Sequence, residues 1–230
     1  MALTPALQKF TTASPVIASY DWKDMINSTG YLELDGIILV WGATYGTTAT
    51  GILVNFNRKS STDWKRFRHV DASEELTAAE FVSTKFNITR ILEGTAYMSF
   101  TWGLQNYAPS SSANQERKIR IDLYKNTTLI ASTAETTSIK IASAGQGASN
   151  PKIELLPFTI PKTILNSEDS LTIKVVSIQV NQEDDSQTFT TIIANVLDEE
   201  VIVHAGEAYE ITFPAGTTRF VTWLPVKIEV

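Results

Sequence analysis

Residues Ala96 to Trp102 constrain this chain more than any other stretch, because their order, Ala-Tyr-Met-Ser-Phe-Thr-Trp, alternates strictly. Ala96, Met98, Phe100 and Trp102 fall on one face, and Tyr97, Ser99 and Thr101 on the other. A period of two is the signature of a β-strand packed on one side. The wider stretch from Phe86 to Leu104 reads as two strands separated by a polar break at Glu93-Gly94. Leu171 to Val180 reads as a further strand. There Ile173, Val175, Ser177 and Gln179 share one face, opposite Lys174, Val176, Ile178 and Val180. Tyr31 to Gly42 begins with alternation and then turns wholly apolar, which predicts a strand entering a region buried on both faces.

About a dozen such segments are spaced by turns at the ~8–12 residues usual for sandwiches and barrels. They include Gly51–Phe56, Trp64–Val70, Phe81–Ile88, Ile153–Ile160, Phe189–Val196 and Phe220–Val230. A hairpin is predicted from Lys118–Tyr124 and Thr127–Thr133, with Asn126 in the turn because Asn tolerates positive φ. No fixed-period repeat is present, which argues against propellers and solenoids. The expected fold is all-β: an antiparallel two-sheet β-sandwich, jelly-roll-like, with one or two short helical turns. One such turn is expected at Asp21–Asn27; Ala72–Ala79, where helix formers and early acids gather, reads either as the other or as a plain connecting loop.

Residues 1–15, punctuated by Pro5 and Pro15, read as an extended N-terminal arm. Residues 16–230 read as a single β-sandwich domain, any subdivision falling near 105–116 or 142–151. The N-terminus shows no positive segment followed by an apolar run, so no secretory signal is expected. No apolar stretch reaches the roughly 20 residues of a membrane-spanning helix, and no membrane partner is expected.

The 230 residues contain no cysteine. That excludes disulfide frameworks, thiolate metal sites and cysteine nucleophiles. The net charge of −6 lacks the basic footprint of a nucleic-acid binder. The one basic patch, Arg58-Lys59 with Lys65-Arg66-Phe67-Arg68-His69, reads as a solvated loop and strand edge. Its other reading is a docking surface for an acidic neighbour.

Chemistry-bearing motifs are sparse. The two histidines, His69 and His204, are far apart and outside any zinc pattern. Gly145-Gln-Gly147 lacks the rest of a phosphate loop. Glu183-Asp184-Asp185 and Asp198-Glu199-Glu200 have carboxylates enough for calcium but not the spacing of an EF-hand, and read as solvated turns. Trp22, Trp41, Trp64, Trp102 and Trp223, with Tyr45 and Tyr107, read mainly as core. Trp64 and Tyr107 are the two expected at a rim. Asn27, Asn87 and Asn126 each begin an Asn-x-Thr triplet, read as chance matches. No catalytic residue, cofactor site or metal site is assigned, and no cofactor is expected.

The run Arg90-Ile-Leu-Glu-Gly-Thr-Ala-Tyr, with Phe100-Thr-Trp-Gly-Leu-Gln-Asn after it, resembles virion-associated β-sandwich proteins of tailed bacteriophages and related prokaryotic viruses. Thr4-Pro5-Ala6-Leu7, the Ser19–Asp24 segment followed by Gly30, and the closing strand from Trp223 add to the resemblance. It implies a non-enzymatic structural protein of a virus particle: a capsid coat, decoration, turret or fibre-base component, made in the host cytoplasm and located in the virion. Its partners would be other virion proteins and copies of itself, a trimer by analogy, with the Met1–Ser14 arm reaching onto a neighbour. The first alternative is a glycan- or receptor-binding β-sandwich module; the second is an enzyme of a β-sandwich class, in which His69 or His204 would converge with carboxylates in one cleft.

Overall fold

A computed structural model describes residues 30–38, 49–54, 64–69, 75–107, 112–144, 147–148, 151–182, 187–193, 201–204, 210–213 and 220–227. The arm and the turn expected at Asp21–Asn27 lie outside the described residues. Every element described is a strand: β1 (Gly30–Ile38), β2 (Ala49–Val54), β3 (Trp64–His69), β4 (Glu75–Ser83), β5 (Arg90–Tyr107), β6 (Ser112–Lys125), β7 (Thr128–Ser132), β8 (Ile139–Ala144), β9 (Gly147–Ala148), β10 (Lys152–Leu165), β11 (Leu171–Gln182), β12 (Gln187–Ile193), β13 (Val201–His204), β14 (Glu210–Phe213) and β15 (Val221–Lys227).

Thirteen strands join one hydrogen-bonded sheet, in the order β3-β12-β5-β15-β1-β2-β4-β11-β6-β7, with β10 and β9 on β5 and β8 on β6. β13 and β14 form a separate two-stranded ribbon. The sheet curls until β10 lies against β7, giving a nearly closed barrel. β2 and β4 pair in parallel, against the expectation of a wholly antiparallel sheet.

The interior is lined as alternation requires. Ala96, Met98, Phe100 and Trp102 of β5 are all fully buried, together with Ile119 and Ile121 of β6 and Ile173 and Val175 of β11. The centre is an aromatic stack: Phe81 of β4 lies on Phe220, ring centroids 4.2 Å apart, and Phe100 meets Phe220 at 6.3 Å. Such ring pairs add about 1 kcal/mol to the burial itself.

Three expected boundaries are corrected. Of the helical turn expected at Ala72–Ala79, the described part from Glu75 is instead the start of β4, whose Ala78, Ala79 and Phe81 are buried. Helix propensity is a weak prior, and burial between β2 and β11 overrides it. The break at Glu93-Gly94 is absorbed into one 18-residue strand, β5. Gly94 takes φ +119° there, a conformation closed to most side chains, and the strand bends over Pro225, 3.8 Å from where a Cβ would sit. The strand expected to end at Ile160 instead continues as β10 to Leu165, with a register shift between Ile160 and Thr163. β10 carries Pro157 and Pro161, residues that a sheet accommodates at an edge or a bulge. Asn126 does take positive φ (52°) in the β6–β7 turn.

Threonines complete the β6 wall where β7 gives way to β8. Ile121 N donates to Thr133 Oγ1 (3.0 Å) while Thr133 N donates to Ile121 O (2.9 Å). Ile119 N likewise donates to Thr136 Oγ1 (3.0 Å), and Thr136 N to Ile119 O (2.8 Å). Side-chain hydroxyls thus stand in for missing strand carbonyls, as buried amides require.

Candidate functional surfaces

The barrel's two outer faces differ in chemistry. On β4–β11–β6 the outward residues are ion-paired. Arg120 donates to Glu75 at 2.8 and 3.0 Å and to Asp122 at 2.9 and 3.1 Å. Lys118 pairs with Glu135 at 3.2 Å and Lys174 with Glu80 at 3.6 Å. Lys174 also sits 4.9 Å over the Tyr124 ring. Its hydrogen bonds to Glu75 and Asp122 hold Arg120 more basic than usual, and accepting from Arg120 holds Glu75 below its ordinary range.

On β1–β15–β5–β10 the outward residues include a group of exposed aromatic and aliphatic side chains, beside the Lys227–Glu93 ion pair at 3.3 Å. The registers place Glu33, Trp223, Tyr97 and Pro157 in one row across four strands. Beside this row Leu155 is 61% exposed and Ile153 60%. Tyr31 and Tyr97 are exposed, with ring centroids 6.2 Å apart at 53°. Trp223 Nε1 donates to Glu33 Oε2 at 3.1 Å, and the Tyr31 hydroxyl to Thr95 O at 3.3 Å. These bonds fix the aromatic groups in place and leave their apolar surface open to solvent.

The two ends of the barrel differ as well. At one, three loops are sewn together around Asp169. Its carboxylate accepts from Asn126 Nδ2 (2.7 Å) and Asn166 N (2.8 Å) and pairs with Lys125 (2.9 Å). The Asn126 bond first, then Lys125 and the Asn166 amide, hold Asp169 down at about 2. At the other end Arg117 of β6 is fully buried, and burial pushes its guanidinium down to about 10. Trp102 Nε1, also buried, has no hydrogen-bond partner among the described residues.

The sequence candidates disperse. His69 ends β3 opposite Thr188, while His204 ends β13 opposite Glu210 in the separate ribbon. No ladder unites the two. No group of three or more His, Asp or Glu suited to a metal occurs among the described residues. Glu183–Asp185, Asp198–Glu200, Trp22, Trp41, Tyr45, Asn27, Arg58 and Lys59 lie outside the described residues. So do positions 145 and 146 of the glycine motif, while Gly147 opens β9. Trp64 begins β3 opposite Ile193, and Tyr107 ends β5 opposite Gln187. Trp102 is core, and Trp223 belongs to the apolar outer face. Asn87 is exposed in a bend, whereas Asn126 spends its side chain on Asp169 and Ser170. Lys65 to His69 form the edge strand β3, paired with β12. The outward residues of β10 were not singled out from sequence. Ile153, Leu155, Leu156 and Phe158 are apolar on both faces, so alternation gave no signal there.

No protein-family model matches the chain, and no curated protein matches it. Among solved structures, a CocE/NonD family hydrolase from Staphylococcus aureus aligns over 87% of this chain, with TM-score 0.44 and 9% identity. An alpha-amino acid ester hydrolase aligns over 86%, with TM-score 0.43 and 6% identity. An aminopeptidase from the marine sediment archaeon Thaumarchaeota archaeon also aligns over 86%, with TM-score 0.43 and 6% identity. The chain spans just over a third of their lengths: 37% of the first, 36% of the second and 37% of the third. A structure of infectious bursal disease virus reaches a TM-score of only 0.15, at 10% identity over 84% of this chain and 43% of that one.

These findings correct the virion reading. The resemblance to phage β-sandwich proteins, the role as coat, decoration, turret or fibre-base component, the virion location and the expectation of no enzymatic connection all give way to hydrolase neighbours. The physical reason is that alternating strands and absent motifs are common to proteins of many functions, and fold alone does not select one.

Proposed function

We propose that this chain is the β-domain of a hydrolase, and that the outer face of β1–β15–β5–β10 is where the catalytic part of that enzyme packs. Support comes from the contrast between the two outer faces. One carries the Arg120 and Lys174 ion pairs, with Val82 exposed among them, while the other leaves Ile153, Leu155, Tyr31 and Tyr97 exposed beside the Trp223–Glu33 bond. An apolar patch rimmed by polar groups marks an interaction surface in a folded protein. In the same reading the curled sheet is a jelly-roll-like sandwich, with β4–β11–β6 facing β1–β15–β5 across the core. Residues 16–230 form the domain and 1–15 its arm.

The test is site-specific photocrosslinking in the native cell. A photoreactive phenylalanine replaces Leu155 on the apolar face, or Lys118 on the ion-paired face as control. A hydrolase sequence crosslinked from 155 and not from 118 is the expected result. Crosslinks to this chain's own copies alone, or equal capture from both positions, would overturn the reading.

A further inference from the structure

We infer that the barrel opens along the seam between β10 and β7, and that Lys125 and Lys152 are the latches holding that seam shut. Elsewhere in the barrel wall, neighbouring strands are joined by backbone ladders. At the seam, β10 and β7 touch, but no ladder joins β10 to β7 or β8 among the described residues. Among the described residues, the bonds that cross it come from two side chains, one towards each end of β10. Lys125, the last residue of β6, donates to Ile164 O at 2.7 Å. Lys152, the first residue of β10, donates to Thr137 Oγ1 at 2.6 Å and more weakly to Ser138 O at 3.5 Å.

Local opening follows the line with fewest backbone bonds. β10 also cannot gain a full second ladder, because Pro157 and Pro161 lack N–H donors. Phe158 and Ile160 point from β10 into the core, so parting the seam uncovers apolar interior rather than a polar channel. The same strand carries Ile153 and Leu155 on its outside. A partner seated there would bear directly on the movable wall, yet the latch stands whether or not the docking proposal holds.

The absence of cysteine makes the test clean. Two reporters are made in the full chain: Ile160→Cys on β10 and Ile173→Cys on β11, both buried in the wild-type protein. Each is exposed to a thiol reagent under native conditions. The latch predicts faster labelling at 160 than at 173. It predicts about a tenfold further rise at 160 when Lys125→Met and Lys152→Met are combined, with 173 unchanged, since only the local opening is affected. Lys→Arg at both sites retains the donors and keeps labelling slow. Equal acceleration at both reporters, or none at 160, overturns the inference. Should the double Met variant fail to fold, hydrogen exchange on the unaltered chain decides: amides of β10 exchanging no faster than those of β11 overturn it equally.

Discussion

Gly36 lies against the ring of Phe220: its amide donates to Phe220 O at 2.9 Å, and a Cβ added to it would run into the ring edge and come 3.1 Å from Phe81 Cδ1. The glycine is therefore a packing requirement of the aromatic stack. We expect Gly36→Ala to destabilise by about 1–3 kcal/mol, the usual cost of overpacking. Phe220→Leu in the same chain should recover part of the loss. Urea midpoints of the two single variants and the double variant check this, and simple additivity would count against it.

Asp169 makes one end of the barrel acid-sensitive. Its folded pKa, about 2, lies below the ~3.9 of an unfolded Asp. The stability it contributes is fully present above about pH 4 and is lost as pH falls towards 2. Asp169→Asn should lower stability at neutral pH and flatten the acid limb of the stability profile over that window. Thermal midpoints of both chains from pH 2 to 6 would show it, and parallel profiles would refute it.

The threonines bonded to β6 are specific in their hydroxyls. Thr133→Val keeps the shape but leaves the buried Ile121 amide without its acceptor, a loss of about 1–3 kcal/mol. Thr133→Ser should retain nearly all the stability. If Val and Ser variants unfold at the same urea concentration, the hydroxyl contributes nothing.

Arg120 holds two carboxylates of unequal worth. The Glu75 side chain is 51% exposed and that of Asp122 only 5%. Glu75→Ala should therefore cost no more than about 1 kcal/mol, as exposed ion pairs do. Arg120→Ala strips a buried carboxylate of its partner and should cost about 1–3 kcal/mol. Chemical denaturation at low and high salt separates the two, since salt screens the exposed pair more.

The all-strand character was legible because period-two alternation is local: it needs only neighbours in the chain. Ala96, Met98, Phe100 and Trp102 point inward as their spacing required, and Asn126 turns as its side chain allows. Function was not legible. The outward apolar residues of β10 sit in a run that is apolar on both sides, where sequence cannot distinguish core from docking face. Short motifs then suggested a virion protein that the comparisons do not support.

The sequence by itself determined which segments extend and, in the alternating ones, which face turns inward, because those are consequences of chain geometry within a few residues. Only the tertiary structure decided that Glu75–Ser83 is a strand, that β5 runs unbroken through Gly94, that β2 and β4 pair in parallel, and that the sheet closes on a lysine-latched seam. Each depends on partners on other strands or in other loops of the chain, and it is packing against those partners, not local preference, that sets the outcome.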